Sequence, residues 1–344
     1  MTTPPRDGAP AGAPIPPAMG QPALVEPPLD GEATTTMPRP AAASDAAKAQ
    51  KMRLVGIGLM LCTVACFACI DASAKYLGRH LDVIEVVWTR YASALVLALL
   101  VFNPINRPSL LRTTRPGLQI GRSALLLSTT VLNFLALKYL QLDQALAISF
   151  SMPLMVAALA GPMLGEWIGP RRWAAIVVGL LGVILVLQPG FGSVHPAALL
   201  SILSAACGAF YAIATRVLSR FDPDETTLFY SNLLGVVMTT PLVPFVWTTP
   251  DSPLLVVLMI AIGGFGSLGH FLMIVAHRHT PASILSPFSY SQLLWASLFG
   301  FFVFGDVPNE WTLIGAAVVI ASGLYLLHRE RVRARDARLG RAEP

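Results

Sequence analysis

The stretch from Gly56 to Lys75 reads Gly-Ile-Gly-Leu-Met-Leu-Cys-Thr-Val-Ala-Cys-Phe-Ala-Cys-Ile-Asp-Ala-Ser-Ala-Lys. At about 1.5 Å rise per residue, an apolar run of this length crosses a hydrocarbon core about 30 Å thick. Its last turns nevertheless carry Asp71 and Lys75. Residues four apart share a helix face, so this spacing predicts a pair. A charge at the bilayer centre costs at least about 2.5 to 3.5 kcal/mol, so both side chains must face protein or a wet cavity. Two readings follow. The pair neutralises itself and fixes helix packing, or this face lines a path through the membrane.

The pattern recurs along the 344 residues. Charged residues make up 12% and hydrophobic residues 54%, whereas a soluble domain carries about 25% charge. Ten apolar segments run roughly over 54–77, 83–102, 118–138, 143–165, 173–189, 196–217, 226–247, 253–276, 281–304 and 311–328. Residues 1–50 are rich in Pro, Ala and Thr without an apolar period and are expected to be a disordered tail. Residues 329–344 form a basic tail. Lys48, Lys51, Arg53, Arg107, Arg112, Arg115, Arg122, Arg171, Arg172, Arg216, Arg220, Arg278 and the Arg329–Arg341 cluster all fall on one side of a ten-span chain. Basic loops stay cytoplasmic, so both termini are expected there, in a multi-pass protein of the cytoplasmic (inner) membrane. The net charge of +5 therefore serves topology and does not point to nucleic acid. Cys62, Cys66, Cys69 and Cys207 all lie within apolar runs, which suits packing residues and not disulfides or zinc ligands.

The chain also repeats itself. Ala65-Cys66 matches Ala206-Cys207, Lys75 matches Arg216, Leu77 matches Leu218 and Arg79 matches Arg220, all at one offset. Glu85–Arg90 parallels Glu225–Tyr230, Asn133-Phe134 parallels His270-Phe271, and Gly165-Glu166 parallels Gly305-Asp306. Each copy (54–190 and 196–328) holds five spans. Five is odd, so the second copy is inverted relative to the first, as in many secondary transporters with a site at the repeat interface. The expected fold is an all-α integral membrane protein of ten transmembrane helices in two inverted five-helix repeats.

Several motifs carry a family resemblance. They are Trp88-Thr-Arg-Tyr91, Asn133-Phe134 through Lys138-Tyr139, and Ala147–Pro153 running on to Gly165-Glu166. In the second half they are Phe210-Tyr211 with Arg216, and Ser286-Pro287-Phe288-Ser289-Tyr290 running to Gly305-Asp306. In these the chain resembles two EamA domains of the drug/metabolite transporter superfamily, over residues 54–328. One departure is Asp306, where many family copies carry Glu. The resemblance implies termini inside, transport of a small organic metabolite (amino-acid-like, riboflavin-like or nucleoside-like) by alternating access, and a packing or homodimer edge at spans five and ten. It implies no cofactor.

Arg90 lies about eight residues inside span two, too deep to snorkel. It is a candidate carboxylate or phosphate anchor, since guanidinium grips such groups with two parallel hydrogen bonds. The competing reading pairs it with Asp71 or Glu85. Trp88, Tyr91, Tyr230, Tyr290, Gln292 and Trp295 supply rings and polar tips for an amphipathic solute. Tyr230, Tyr290 and Gln292 are read as too deep for interfacial anchors. Asn133 and His270 hold matching places in the third helix of each repeat. The Asn133 amide is an interhelical bond or a ligand contact, and His270 is a candidate for proton coupling. Asp71 and Lys75 complete the coupling or charge-pair set. Pro153 and Pro287 interrupt spans four and nine, and Glu166 and Asp306 read as structural acids at the ends of those spans. The cavity is expected between the halves, with spans five and ten packed outside it.

Two other classes remain. A non-transporting scaffold or receptor fits the same helices. An intramembrane enzyme needs a nucleophile with its base or a metal-binding cluster, and no His-Glu-x-x-His motif or comparable set of metal ligands occurs.

Overall fold

The structure, a computed structural model, describes residues 40–102, 111–165, 169–187 and 195–338. The chain divides into two compact units, 1–46 and 47–344, and the second is described below. Helix α1 (Pro40–Leu77) opens ahead of the expected tail boundary. The Ala-rich run at 41–49 explains this, because alanine has the highest intrinsic helix propensity. The rest of the expected tail, 1–39, and Glu166 lie outside the described residues.

The elements that follow are α2 (Val83–Phe102), α3 (Pro116–Leu137), α4 (Leu142–Ser149), α5 (Met152–Leu164), α6 (Pro170–Leu187) and α7 (Ala197–Leu218). Then come α8 (Asp224–Thr239), α9 (Val243–Val246), α10 (Pro253–His279), α11 (Ala282–Ser289), α12 (Gln292–Phe299), a π-helical turn (Gly300–Phe304) and α13 (Glu310–Arg338). Among the described residues, eight segments are long and apolar enough to cross a membrane: Gln50–Leu77, Val83–Val101, Pro116–Leu137, Leu142–Leu164, Pro170–Leu187, Ala197–Leu218, Pro253–His279 and Glu310–Arg329. The two other expected spans, 226–247 and 281–304, are built from shorter pieces. Pro241 and Pro244 lack the N–H that would continue α8, so the chain turns and resumes as α9. Pro287 sits in the last turns of α11.

Spans four and nine are interrupted in the same way. Span four breaks at Phe150–Ser151 and span nine at Tyr290–Ser291, at one common sequence offset. Each span then ends on a glycine in the left-handed region, Gly165 at φ 73° and Gly305 at φ 71°. Only glycine adopts that conformation without a steric penalty, which makes it the natural stop for a helix. The Phe150 and Tyr290 rings meet edge to face at 5.0 Å. Equivalent residues of two related halves touch only near the axis that relates them, so this contact marks the pseudo-twofold axis.

The halves interlock. The most extensive packing joins α13 to α6, α3 to α7, and α2 to α10 and α8, and each of these pairs takes one helix from each repeat. At the α6–α13 seam the backbones almost touch. A Cβ on Gly182 would stand 2.9 Å from the Gly315 carbonyl oxygen, and a Cβ on Gly315 would stand 2.6 Å from that of Gly182. Without a hydrophobic drive between helices in lipid, such close approach of small residues supplies the van der Waals attraction. Outward on the same helices, Val177, Leu181, Ile184, Leu313 and Ile314 are exposed, as a lipid-facing surface requires.

At one end of the bundle, Asp222 joins the α7–α8 turn to the segment before α3. It accepts hydrogen bonds from the Thr113 hydroxyl, the Thr114 amide at 3.0 Å and the Thr114 hydroxyl at 2.9 Å. Burial pushes its carboxyl up, but these donors outweigh that and hold it below the ordinary carboxylate range.

Gly182→Val is expected to destabilise the protein by about 1 to 3 kcal/mol through overpacking of the α6–α13 seam. Gly58→Val, where a Cβ meets nothing within 4 Å, is expected to be neutral. Thermal melting of the two variants in detergent checks the difference.

Candidate functional site

Ionisable side chains in membrane-crossing helices need partners, and most of those here have them. Lys75 is buried and donates to the Asp306 carboxylate at 2.6 Å and to the Leu140 carbonyl at 3.0 Å. Its ammonium also lies over the Phe304 ring at 4.9 Å. The expected pairing of Lys75 with Asp71 is therefore not the one formed. A helical i,i+4 contact is worth only about 0.2 to 0.5 kcal/mol. A buried contact with an acid from span nine's end and a free carbonyl gives the ammonium more of the donors' partners it requires. Lys75 is thus a structural tie between α1, the α3–α4 turn and the segment before α13. Asp306 is its counter-ion, in keeping with its reading as a structural acid. Glu85 is fully buried and accepts from the Thr248 amide at 3.0 Å, which removes it as the expected partner of Arg90.

Asp71 is held by amides. Asn133 Nδ2 donates to Oδ1 at 3.1 Å, and Gln292 Nε2 donates to Oδ2 at 3.3 Å. Asn133 comes from α3 of the first repeat and Gln292 opens α12 of the second, so the carboxylate is gripped from both halves. Arg90 lies close enough to act on Asp71 through space, yet among the described residues the two form no ion pair within 4.0 Å. Arg90 makes one long hydrogen bond, from Nη1 to the Thr130 hydroxyl at 3.4 Å, and its Nε has no partner. Its guanidinium lies over the Tyr91 ring at 4.7 Å.

Asp71, Arg90, Asn133, Tyr290 and Gln292 all face one cavity of about 720 Å³ between the halves. Its apolar wall includes Phe67, Leu137, Phe150, Val156 and Leu326. Span five stays outside, as expected. Span ten does not, because α13 contributes Gly323, Leu326 and Leu327 to the wall. Gly323 lies directly under the Tyr290 hydroxyl, which leaves no room there for a side chain.

The remaining candidates lie elsewhere. Tyr91 and His270 border a second, smaller cavity of about 240 Å³, and Arg90 lines both cavities. Tyr91 is fully buried, with its hydroxyl 2.9 Å from that of Thr130. His270 meets the Phe67 ring edge-on at 5.3 Å. Trp88, Tyr230 and Trp295 line neither cavity. Trp88 donates to the Thr240 hydroxyl at 3.0 Å and meets Trp247 edge-on. Tyr230 reaches the Leu111 carbonyl at 2.9 Å at the end of the bundle, so it is shallower than its residue count suggested. Trp295 is on the outer surface beside Phe299. All three therefore sit where aromatic residues anchor or pack.

The sequence reading counted Arg122 only among the topology charges. It is 5% exposed and ties three helices together at the second cavity. Nε donates to the Thr215 hydroxyl at 2.8 Å, Nη2 to the Tyr211 hydroxyl at 2.7 Å, and Nη1 to the Ser231 hydroxyl at 2.6 Å and the Thr227 carbonyl at 3.3 Å. The signal was its spacing from Gln119. Residues three apart share a face, and both are buried. Arg122→Lys keeps the charge but cannot reproduce the fork, so it is expected to lose about 2 kcal/mol or more of stability. Melting temperature in detergent, compared with Arg122→Ala, tests whether geometry and not charge carries the tie.

This geometry agrees with what the chain is similar to. The model of the EamA-like transporter family matches residues 54–188 and again 195–328. An S-adenosylmethionine uptake transporter of Rickettsia felis is 30% identical over 284 residues, covering 82% of this chain and 96% of its own. A riboflavin transporter of Brucella anthropi is 28% identical over 293 residues, covering 81% of this chain and all of its own. A solved crystal structure that is 17% identical shares the fold, with a TM-score of 0.56 over 82% of this chain and 99% of that one. Two matched repeats, ten helical segments and a cavity between the halves lead to one conclusion: the chain is a multi-pass membrane protein that belongs to the EamA-like transporter family.

Proposed function

We propose that the 720 Å³ cavity is the substrate site of a secondary transporter that moves a small charged organic metabolite by alternating access. The observation that carries this is the pair of Asp71 and Arg90, both facing the cavity from membrane-crossing helices without an ion pair. Deep ionisable groups in membrane proteins mark substrate or ion pathways. The volume lies within the range of about 300 to 1,000 Å³ that holds an organic ligand, and the mixture of apolar wall with a few converging polar groups is of the same kind. Asp71, Arg90, Asn133, Tyr290 and Gln292 are the substrate contacts in this reading, and Lys75 is structural.

The named relatives offer two solutes. S-adenosylmethionine is charged and riboflavin is not, and the charged groups of the cavity favour the former. The test is flux of each, radiolabelled, into liposomes holding the purified full chain. S-adenosylmethionine is expected to enter, and riboflavin entry alone would overturn the charged-solute reading. Arg90→Ala is expected to insert at normal abundance and to abolish that flux, because Arg90 has no carboxylate partner to strand. Poor abundance restored by adding Asp71→Asn would instead show a structural pair.

Both termini are proposed to be cytoplasmic, in the cytoplasmic membrane. The support is the basic bias of one set of loops and the odd span number of each repeat. Fusions of a periplasm-only reporter after Gln50 and after Arg341 are expected to be inactive, and activity at either end would overturn this topology.

A further inference from the structure

We propose that the Lys75 ammonium has two acid seats, Asp306 of the second repeat and Asp143 of the first, and that its passage from one to the other lets the halves part without stranding a charge. The consequence for transport rests on the alternating-access reading above; the two seats themselves do not. The first observation is an unfilled position on each partner. An ammonium has three donors. Lys75 uses one on the Leu140 carbonyl and one on Asp306, which leaves a third. Asp143 is 2% exposed, and its Oδ2 has no partner. As an acid in the first turn of α4 it suits the positive end of that helix, but this does not give the buried oxygen a donor. A buried acceptor left unpaired is costly.

The second observation is placement. Leu140, to which Lys75 is bonded, stands three residues before Asp143, just ahead of α4. Helix α4 packs against α12 and α13, the helices on either side of Asp306 in sequence. Lys75 and Asp306 both lie close enough to act on Asp143 through space, yet among the described residues Lys75 and Asp143 form no ion pair. The lysine stem is flexible and its three donors rotate. A pivot about the Leu140 carbonyl therefore carries the ammonium from one acid to the other.

The third is what each seat joins. Asp306 belongs to the second repeat, and Lys75, Leu140 and Asp143 belong to the first. With Lys75 on Asp306 the halves are tied; with Lys75 on Asp143 the pair lies within one half. Leu137 and Leu142 flank the α3–α4 turn and line the 720 Å³ cavity, so the tie stands at that end of it. A lysine that simply released Asp306 would be a buried charge without a counter-ion, and removing one partner of a buried pair is strongly destabilising. Asp143 takes that penalty away. The exposed Arg79 lies over the Phe304 ring at 4.7 Å, two residues from Asp306, so a cation stays near that acid after Lys75 leaves.

The experiment uses the full-length chain. Membrane abundance is measured for Asp143→Asn, for Asp306→Asn, for both together, and for both with Lys75→Met. Each single variant keeps one seat and is expected to stay within about twofold of the wild type. The double variant strands the ammonium and is expected to fall several-fold, and Lys75→Met is expected to restore it. A single variant as poorly made as the double, a double made as well as the wild type, or no restoration by Lys75→Met overturns the proposal. Hydrogen–deuterium exchange of the purified chain then reads the tie, over residues 137–146 and 300–309. Asp306→Asn unties the halves and is expected to raise exchange there about tenfold or more, whereas Asp143→Asn removes the second seat and is expected to lower it by a similar factor. Two acids that only brace the fold would both raise exchange. Unchanged or faster exchange in Asp143→Asn, or unchanged or slower exchange in Asp306→Asn, overturns the hand-over. Neither measurement uses a substrate, so failure of this proposal and failure of the flux test are separate results.

Discussion

The cost of an unpaired charge in hydrocarbon organises this molecule. Each ionisable group in the spans has to find a partner in another helix, and the search for partners stitches the bundle together. Lys75 takes Asp306 and a free carbonyl. Glu85 takes a backbone amide of the segment before α10. Arg122 takes four acceptors from α7 and α8. Asp71 and Arg90 by contrast have neutral hydrogen-bond partners and open acceptor and donor positions, and both face the same cavity.

The repeat supplies the space. Spans four and nine break at equivalent points, and the Phe150–Tyr290 contact sits on the axis between them. A helix interrupted halfway leaves part of its length free to bend away from its neighbours. Two such interruptions facing each other across a pseudo-twofold axis leave a hollow at its centre. The fifth helices brace the fold, because the glycine seam between α6 and α13 brings two backbones together at closer range than side chains permit. The hollow and its brace come from the same two copies of one five-helix unit.

Much of this was legible in the sequence for a physical reason. Length, apolarity and charge bias are local properties, so the spans, the two repeats and Pro-bearing spans four and nine could be read from residue spacing. Arg90, Tyr290 and Gln292 were legible as polar groups too deep for the interface, Asn133 as a polar group within an apolar run, and Asp71 as a charge that must face protein or a wet cavity; all five line one cavity. Partner choice was not, because it is long-range. The Lys75–Asp306 contact joins the first repeat to the end of the second, and no local pattern announces it. Tyr230 and Trp295 show the other limit. Depth along a helix can be counted, but the face a ring presents depends on how its helix is rotated, and α8 and α12 are short pieces whose rotation follows from the breaks before them. Arg122 was misread because seven residues into a helix is neither loop nor core by counting alone.

The grip on Asp71 has a consequence for motion. Its two amide donors belong to different halves, Asn133 to the third helix of the first repeat and Gln292 to the fourth span of the second. Any rocking that parts the halves must lengthen one of these bonds, since a single carboxylate on α1 cannot follow both. Each is a hydrogen bond to a charged group, worth about 1.5 to 3 kcal/mol. In the proposed substrate site, a ligand donor seated on Asp71 would offer a replacement partner as one amide lets go. If the cavity is the substrate site proposed above, filling it would lower the energy needed to part the halves, since a ligand shifts a conformational equilibrium only through a difference in what it contributes to each state. One carboxylate is thus the point at which hydrogen bonds from both repeats converge on the cavity.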